Sequence, residues 1–367
     1  MPPTITDDKT APALSLHGEP ANFALGYHEV AHDTWAWLQP NGALGESNSG
    51  LIVSGEHALV VDSLWDLKLT QRMLDEARKI VDVAPEALVN THSDGDHVWG
   101  NQLFSGARII SGSTAKDLMT LDMPKDLRAM RTGGKALAAI GALPVPFVGT
   151  VDVGDLPRLP LREMGREFAP FDWREIELTL PTETFDGELA VRIGDREVQL
   201  IEVGPAHTGG DTVVWVPDVN VCFAADILFI DGTPIMWAGP VKSWIAAIDR
   251  ISALGAERYV PGHGPICGQK EVDLVREYFE WVQSEGVTQL ARGVKPVKAA
   301  RNLLLSSEFE QLPWARWDDP ARLVVTLCSE QHRRDGSTGQ LLGVGRSRAI
   351  ASMQATKTAI ARKRKRG

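Results

Sequence analysis

The segment from Asn90 to His97 constrains the fold and chemistry of this chain more than any other part of its sequence. It places two histidines and two aspartates within six residues, directly after the apolar run Ala87–Val89. The apolar run predicts a buried strand, and side chains that follow a strand end can converge on one point. Imidazoles and carboxylates are ligands for Zn²⁺, Fe²⁺ and Mn²⁺. A polar turn with solvated charges is the alternative for this segment taken alone.

Three later segments repeat the same arrangement. His207 lies in a Gly-rich turn between two apolar runs, Asp226 follows the run Val221–Phe223, and His263 ends the run that begins at Tyr259. Four such positions in one chain favour a shared metal site over a set of unrelated polar turns. The remaining histidines lack this context, and we expect no functional role for His17, His28, His32, His57 and His332.

In this order, the segments resemble the metallo-β-lactamase superfamily. The signature of that superfamily is His-x-His-x-Asp-His, followed by a His, an Asp and a His, each near a strand end. The resemblance extends from about Asn48 to about Glu285. It implies an α/β fold, a four-layer αββα sandwich with a metal site at one edge, and a metal-dependent hydrolase.

The resemblance also implies a set of metal ligands. One metal site would use His92, the second position of the motif and His207, and the other would use Asp96, His97 and His263. Asp226 would bridge the two metals. Asp62, after the run Leu59–Val61, matches an aspartate that orients a ligating histidine and raises its basicity.

The chain departs from the signature at Asp94, which stands where the superfamily has its second histidine. A carboxylate reaches less far than an imidazole, so three outcomes are open. Asp94 ligates the metal and favours iron or manganese, or the first site is empty, or Asp94 is a free proton acceptor. Flavodiiron proteins of the same superfamily carry a Glu here, but we expect no flavodoxin-like domain of their kind in this chain.

Composition narrows the class of protein. Of the 367 residues, 43% are hydrophobic and 23% are charged, which is typical of a globular protein. The net charge of -10 disfavours nucleic-acid and anionic-membrane partners. Three widely spaced cysteines argue against a disulfide framework, and residues 1–10 lack the features of a secretory signal, so we expect a cytoplasmic protein.

The sequence pattern divides the chain into three parts, the second of which contains an insertion. We predict a mobile lead-in over residues 1–20, a metallo-β-lactamase-like domain over 21–290, and a helical extension with a basic, disordered tail over 291–367. Residues 113–181 form an insertion that either covers the metal site or serves a structural or homodimer-forming role. Strand-like and helix-like runs alternate in both halves of the domain, including a helix from Leu67 to Val81 and a helix-like piece over Ala136–Ile140.

The predicted chemistry is hydrolysis by a metal-bound hydroxide, with one or two Zn²⁺ per chain and iron or manganese possible. Asp94 and Asp96 are the candidate catalytic carboxylates. Trp99, beside His97, and Trp237, after Asp226, are candidate walls for a hydrophobic or aromatic small molecule with an ester, lactone or related bond. Three alternatives stay open: a hydrolytic dehalogenase of chlorinated aromatics, a carboxylate-rich diiron oxidoreductase and a decayed binding scaffold.

Overall fold

The computed structural model describes residues 14–121 and 167–364, together with residues 124–125, 127–128, 132, 142–145 and 149–152. The strands are β1 (Gly26–Ala31), β2 (Thr34–Leu38), β3 (Ser49–Ser54), β4 (His57–Val61), β5 (Ala87–Asn90), β6 (Arg108–Gly112), β7 (Ala142–Val145), β8 (Gly149–Asp152), β9 (Glu183–Phe185), β10 (Glu188–Ile193), β11 (Arg196–Glu202), β12 (Thr212–Val216), β13 (Val221–Phe229) and β14 (Arg258–His263). The helices are α1 (Leu67–Ala77), α2 (Gly95–Val98), α3 (Ser113–Met119), α4 (Val241–Ser252), α5 (Gln269–Trp281), α6 (Thr288–Ala291), α7 (Pro296–Leu304), α8 (Leu323–Arg334) and α9 (Gly343–Arg364).

Two sheets form the centre of the protein. The first has seven strands in the order β1-β2-β3-β4-β5-β6-β9, antiparallel from β1 to β4 and parallel from β4 to β9. The second has the order β10-β11-β12-β13-β14, in which only the β13–β14 pair is parallel. The strands β7 and β8 form a separate antiparallel hairpin.

Apolar side chains fill three layers of core. Ile52, Val61 and Val89 of the first sheet pack against Val198 and Val214 of the second, between the sheets. On the outer face of the first sheet, the alternate residues of the same strands pack against α1. On the outer face of the second sheet, α4, α5, α7, α8 and α9 contribute to a large helical core. Because both faces of each sheet are covered, the central strands are continuous apolar runs. The predicted four-layer αββα fold is confirmed.

Local signals explain where the first helix begins and ends. The Asp66 side chain accepts a hydrogen bond from the Leu69 backbone N–H at 2.8 Å, which caps the start of α1. The buried face of α1 includes Thr70, Met73 and Leu74. The helix ends at Ala77, so the prediction that it continues to Val81 is wrong by one turn.

Several other boundaries differ from those predicted. Strand β13 continues through Asp226 to Phe229, whereas the sequence placed Asp226 just past the strand end. Within the predicted lead-in, Leu14 forms a bridge with Pro20, and the Leu16 N–H donates to Glu46. Residues 1–13 and the helix-like piece Ala136–Ile140 lie outside the described residues.

The C-terminal basic run also differs from its prediction as a disordered tail. Arg362 to Arg364 form the last turn of α9, and Lys363 pairs with Glu310. Residues 365–367 lie outside the described part of the chain. Among the described residues, no helix combines the length and apolar character that a membrane crossing requires.

Candidate metal centre

The predicted ligands lie at one edge of the two sheets. Strands β4 and β5 are parallel neighbours in the first sheet, as β13 and β14 are in the second, so the residues that follow each pair lie at one edge of its sheet. A bridge between Ser47 and His263 joins the two sheets at this edge. The positions are Asp62 directly after β4, His92 two residues after β5, Asp94 before α2, Asp96 and His97 in α2, His207 between β11 and β12, Asp226 in β13 and His263 at the end of β14.

His92, Asp94 and His207 form the first ligand group. Their ligand atoms lie within 4.8 Å of one another, and all three residues are buried or nearly so. Asp94 Oδ2 is 3.2 Å from His207 Nε2. The carboxylate therefore lies close enough to both imidazoles for the three side chains to hold one metal ion together.

Asp96, His97 and His263 form the second ligand group. Their ligand atoms also lie within 4.8 Å of one another. Asp96 Oδ2 is 3.5 Å from His263 Nε2. The carboxylate of Asp96 keeps 15% of its side-chain area exposed, so it faces the open side of the group.

Asp226 lies between the two ligand groups. Its Oδ2 atom is 3.2 Å from His207 Nε2 and 3.8 Å from His92 Nε2. Its Oδ1 atom is 3.2 Å from His97 Nε2, and Oδ2 is 3.7 Å from His263 Nε2. One carboxylate therefore contacts the imidazoles of both groups, which is the position that a bridging ligand requires.

Hydrogen bonds fix the ring orientation of two of the histidines. His97 Nδ1 lies 3.0 Å from Asp62 Oδ2, and His207 Nδ1 donates to the Ile235 carbonyl at 2.7 Å. In both rings this leaves Nε2 toward Asp226. Asp62 also accepts bonds from the Thr91 N–H and Oγ1, so the strand end that precedes His92 is held by the same carboxylate.

The loop that carries His207 is held by Asp211, a role that sequence reasoning missed. The Asp211 carboxylate accepts hydrogen bonds from the backbone N–H groups of Ala206 and Thr208 and from the Thr208 hydroxyl. These residues flank His207 on both sides. The spacing Thr208–Asp211 within the Gly-rich turn was the available signal, since short polar side chains often bond to nearby backbone.

The backbone is strained or closely packed where carboxylates enter the site. Asp62 has φ 62° and Ala225, which precedes Asp226, has φ 47°, a left-handed conformation that is uncommon for alanine. Gly262 is required opposite Asp226, because a Cβ there would lie 1.8 Å from Asp226 Oδ1. The backbone therefore adopts unfavourable local geometry at the positions where it directs the Asp62 and Asp226 carboxylates toward the centre.

The mutual charges of the ligands perturb their pKa values. Although burial favours the neutral acid, the charges of His97 and His263 hold the pKa of Asp226 well below its usual range. Burial alone would lower the pKa of His207, but the charge of Asp226 raises it to about 9. Burial lowers the pKa of His92, and the neighbouring His97 adds to that effect. Ionisable groups in a cleft whose pKa values are perturbed in this way are typical of functional sites.

The donor atoms of the site fit a metal ion. The buried side-chain atoms without a hydrogen-bond partner in the described part of the chain include His92 Nε2 and Asp94 Oδ1. Buried polar atoms are rarely left unsatisfied, because each costs free energy. Four imidazoles and three carboxylates arranged in this way suit zinc, iron or manganese.

The site opens into a cavity of about 1610 Å³. Its walls include Phe229, Ile235 and Trp237 from the segment after β13, Trp317 from the extension and, from the predicted insertion, Phe168. The wall also includes His17, for which the sequence predicted no role, and several residues of α9.

The two predicted substrate-binding tryptophans occupy different positions in this wall. Trp99 is 2% exposed and packs in an aromatic cluster, which comprises Trp65, Trp99, Phe168, Phe171 and Trp173. Trp237 is 6% exposed, and its Nε1–H donates to Asp94 Oδ2 at 3.0 Å. Trp237 therefore contacts a candidate ligand directly, whereas Trp99 is mainly part of a packed cluster at the edge of the cavity.

The chain is similar to several known proteins. A family model described as the metallo-beta-lactamase superfamily matches residues 42–263. Over 260 residues the chain is 25% identical to a linear primary-alkylsulfatase from Pseudomonas sp., covering 67% of this chain and 48% of that protein. Over 119 residues it is 30% identical to the alpha subunit of 2,4-dinitroanisole O-demethylase from Nocardioides sp., covering 31% of this chain and 35% of that protein.

These matches span about half or less of the curated relatives' own length. Among solved structures, a metallo-beta-lactamase from Pontibacter korlensis aligns with a TM-score of 0.48 and 17% identity. That alignment covers 70% of this chain and 99% of the other.

Proposed function

Because this chain belongs to the metallo-β-lactamase superfamily of metallo-hydrolases, we propose that it hydrolyses an ester, lactone or related bond in a hydrophobic or aromatic substrate. The observation that carries the proposal is the joining of two ligand groups by Asp226 at the base of a large, aromatic-walled cavity. A cavity of this kind can hold a small organic molecule beside the metal centre.

The donor set supports metal binding by His92, Asp94 and His207 in one group, and by Asp96, His97 and His263 in the other, with Asp226 shared. When bound, zinc or a similar ion supplies Lewis acidity and lowers the pKa of a coordinated water to about 7. Zinc is the metal we propose first.

Other residues of the site support metal-dependent hydrolysis by orienting the ligands and by facing the cavity. Asp62 and the Ile235 carbonyl fix the rings of His97 and His207 before any substrate arrives. Asp96 faces the cavity and is placed to accept a proton from an attacking water. Apolar residues of the cavity wall, such as Phe229 and Ile235, can hold a substrate beside this carboxylate.

The proposed substrate class rests on the cavity wall and on two relatives. Phe229, Trp237 and Trp317 offer flat apolar surface to an aromatic or long alkyl group. One relative is an alkylsulfatase, and the other is a subunit of a demethylase of an aromatic ether. Alkyl sulfates and aryl ethers therefore join esters and lactones among the bonds to be tested.

The test combines metal analysis with a substrate screen. Protein purified without added metal should contain one or two equivalents of zinc and cleave members of a panel of aryl esters, lactones, alkyl sulfates, aryl ethers, phosphodiesters and chlorinated aromatics. His97→Ala should lose most metal and activity. His57→Ala is the matched control, because His57 lies at the surface and pairs with Glu86. Full metal content and activity in His97→Ala would overturn the proposal.

A carboxylate-rich diiron or manganese oxidoreductase is the second candidate. The observation that favours it is the contact of Asp94 with His207, which adds a third carboxylate to the centre. Harder oxygen ligands shift metal preference toward iron and manganese. Two equivalents of iron that bleach on reduction, together with no hydrolysis in the panel, would support this candidate over the hydrolase.

A further inference from the structure

Asp94 is held by two side chains that lie far away in the sequence. Its Oδ2 atom accepts the Trp237 Nε1–H at 3.0 Å and lies 3.9 Å from an Arg346 guanidinium nitrogen. Arg346 also lies over the Trp237 ring, with its Cζ 4.0 Å from the ring centroid, which is a close cation–π contact. The three side chains form one unit, which we call the Asp94–Trp237–Arg346 unit.

Arg346 comes from α9, in the C-terminal extension beyond residue 263, where the superfamily match ends. Only 19% of its side-chain area is exposed, so the guanidinium approaches the centre from the cavity wall with little solvent around it. Arg346 therefore belongs to the extension but lies against Asp94 and Trp237 of the metallo-β-lactamase-like domain.

The unit fixes one carboxylate oxygen and leaves the other for a metal. Oδ2 is shared by Trp237, Arg346 and His207. Oδ1 is buried and has no hydrogen-bond partner among the described residues. A carboxylate pinned through one oxygen cannot rotate freely, so its second oxygen has a defined direction.

Charge gives the unit a second role. The superfamily has a neutral imidazole where this chain has Asp94, and the exchange adds one negative charge to the centre. The Arg346 guanidinium is always protonated and lies beside that added charge. The attraction between opposite charges is stronger in a poorly solvated site than in water.

We propose that Arg346 is a positioning residue of the metal centre, which orients Asp94 through Trp237 and offsets the charge that Asp94 introduces. The C-terminal extension is then part of the site, and residues 94 and 346 function as a pair. The inference rests on the proposed metal centre, but it does not depend on which bond the protein cleaves.

The proposed pairing of Asp94 with Arg346 predicts an unusual result when Asp94 is replaced by histidine, the residue that the superfamily has at this position. In Asp94→His, a third imidazole would replace the carboxylate beside the Arg346 guanidinium. The positive charge of the guanidinium would then repel the metal cation and weaken metal binding in the first ligand group. Removing the guanidinium as well should relieve that repulsion. Asp94→His should therefore bind metal worse than the double variant Asp94→His with Arg346→Met.

The experiment measures metal stoichiometry after dialysis and metal affinity by competition with a chelator, in the full-length protein. Arg346→Met should weaken the more weakly bound metal about ten- to a hundredfold, which is typical for loss of a partner that orients a ligand. Arg346→Lys keeps the charge but not the planar contact with Trp237, so it should lie between Arg346→Met and the wild type. Arg362→Met, an exposed arginine on the same helix, is the matched control and should match the wild type.

The outcomes separate this inference from the proposed function. If the wild type binds metal and Arg346→Met binds it equally well, the pairing is wrong and the metal centre stands. If the double variant is no better than Asp94→His, the charge role is wrong. If the wild type binds no metal, the proposed function and this inference both fail. Melting curves identify a variant that has lost its fold, and recovery in the double variant would still support the pairing.

Discussion

At the scale of single residues, Gly262 determines how closely the shared carboxylate can approach the ligands. A Cβ at this position would lie 1.8 Å from Asp226 Oδ1 and 2.8 Å from the backbone of Ala225. Gly262→Ala should therefore displace Asp226, remove most of the bound metal and lower the stability of the fold by about 1–3 kcal/mol, as overpacking commonly does. Metal analysis and chemical denaturation measure the two effects.

The control for this substitution is Gly268→Ala, where the nearest atom to an added Cβ is Glu271 Oε2 at 3.8 Å. That variant should keep its metal. Normal metal content in Gly262→Ala would show that Asp226 can move without loss of binding, and the shared-ligand assignment would be wrong.

Trp237 gives a second prediction at this scale. Trp237→Phe keeps most of the apolar ring but removes the N–H that donates to Asp94 Oδ2. We expect metal affinity in the first ligand group to fall about tenfold, because a ligand-orienting hydrogen bond is lost, while metal bound in the second ligand group is retained. Chelator competition measures both affinities.

Trp35→Phe is the matched control for Trp237→Phe. The Trp35 Nε1 atom is buried and has no hydrogen-bond partner in the described part of the chain, so this exchange removes no bond. Equal metal affinities in both variants would assign Trp237 to packing alone.

The sequence could predict which side chains converge but not how they are held. His92, Asp96, His97, His207, Asp226 and His263 each lie beside an apolar run, and that local pattern is visible without a structure. The contacts of Asp94 depend on Trp237 and Arg346, which lie 143 and 252 residues further along the chain. No local pattern records such distant pairs, so the reach of Asp94 could only be judged from its side-chain length.

At the scale of elements, the sequence predicted the strands that lead to the ligands because both their faces are buried and their residues form continuous apolar runs. Strands β1 and β2 were missed, since Gly26–Ala31 and Thr34–Leu38 mix polar and aromatic residues. The end of β13 was placed too early, because Asp226 was taken to close the strand. In the structure the left-handed Ala225 shifts the register with β14, and the strand continues.

The aromatic cluster gives a prediction at this scale. Trp99, next to α2, packs with Trp65 and Trp173. It therefore connects α2, the helix that contains His97, with Trp173 near the end of the predicted insertion. Trp99→Ala should lower the free energy of unfolding by about 3–5 kcal/mol, as removal of a buried aromatic usually does. Chemical denaturation measures the change, and Trp99→Phe should retain much of the stability.

This expectation differs from the interpretation of Trp99 as a substrate wall, in which its removal mainly raises KM. A stable Trp99→Ala variant with a raised KM and unchanged kcat would favour the substrate wall. A destabilised variant whose surviving folded fraction has the wild-type KM would favour packing.

At the scale of the whole molecule, the candidate centre draws on both sheets and on the C-terminal extension. Asp62 and His92 come from the first sheet, Asp226 and His263 from the second, and Arg346 from α9. Ion pairs of Lys357 with Asp319 and Glu167 hold helix α9 in place. Metal bound at such a junction contacts parts of the chain that separate on unfolding, so metal binding should be linked to global stability.

The last prediction concerns metal removal. A metal that binds the folded chain but not the unfolded chain stabilises it by about 4 kcal/mol when its free concentration is a thousand times its dissociation constant. Chelation should therefore lower the Tm, and Zn²⁺ should restore it in a concentration-dependent way, as measured by thermal melting. His97→Ala should show a much smaller shift, because the second ligand group has lost a donor and Asp226 has lost its contact at 3.2 Å. His57→Ala should respond as the wild type does. An equal Zn²⁺-dependent shift in His97→Ala would place the stabilising metal elsewhere and contradict the proposed centre.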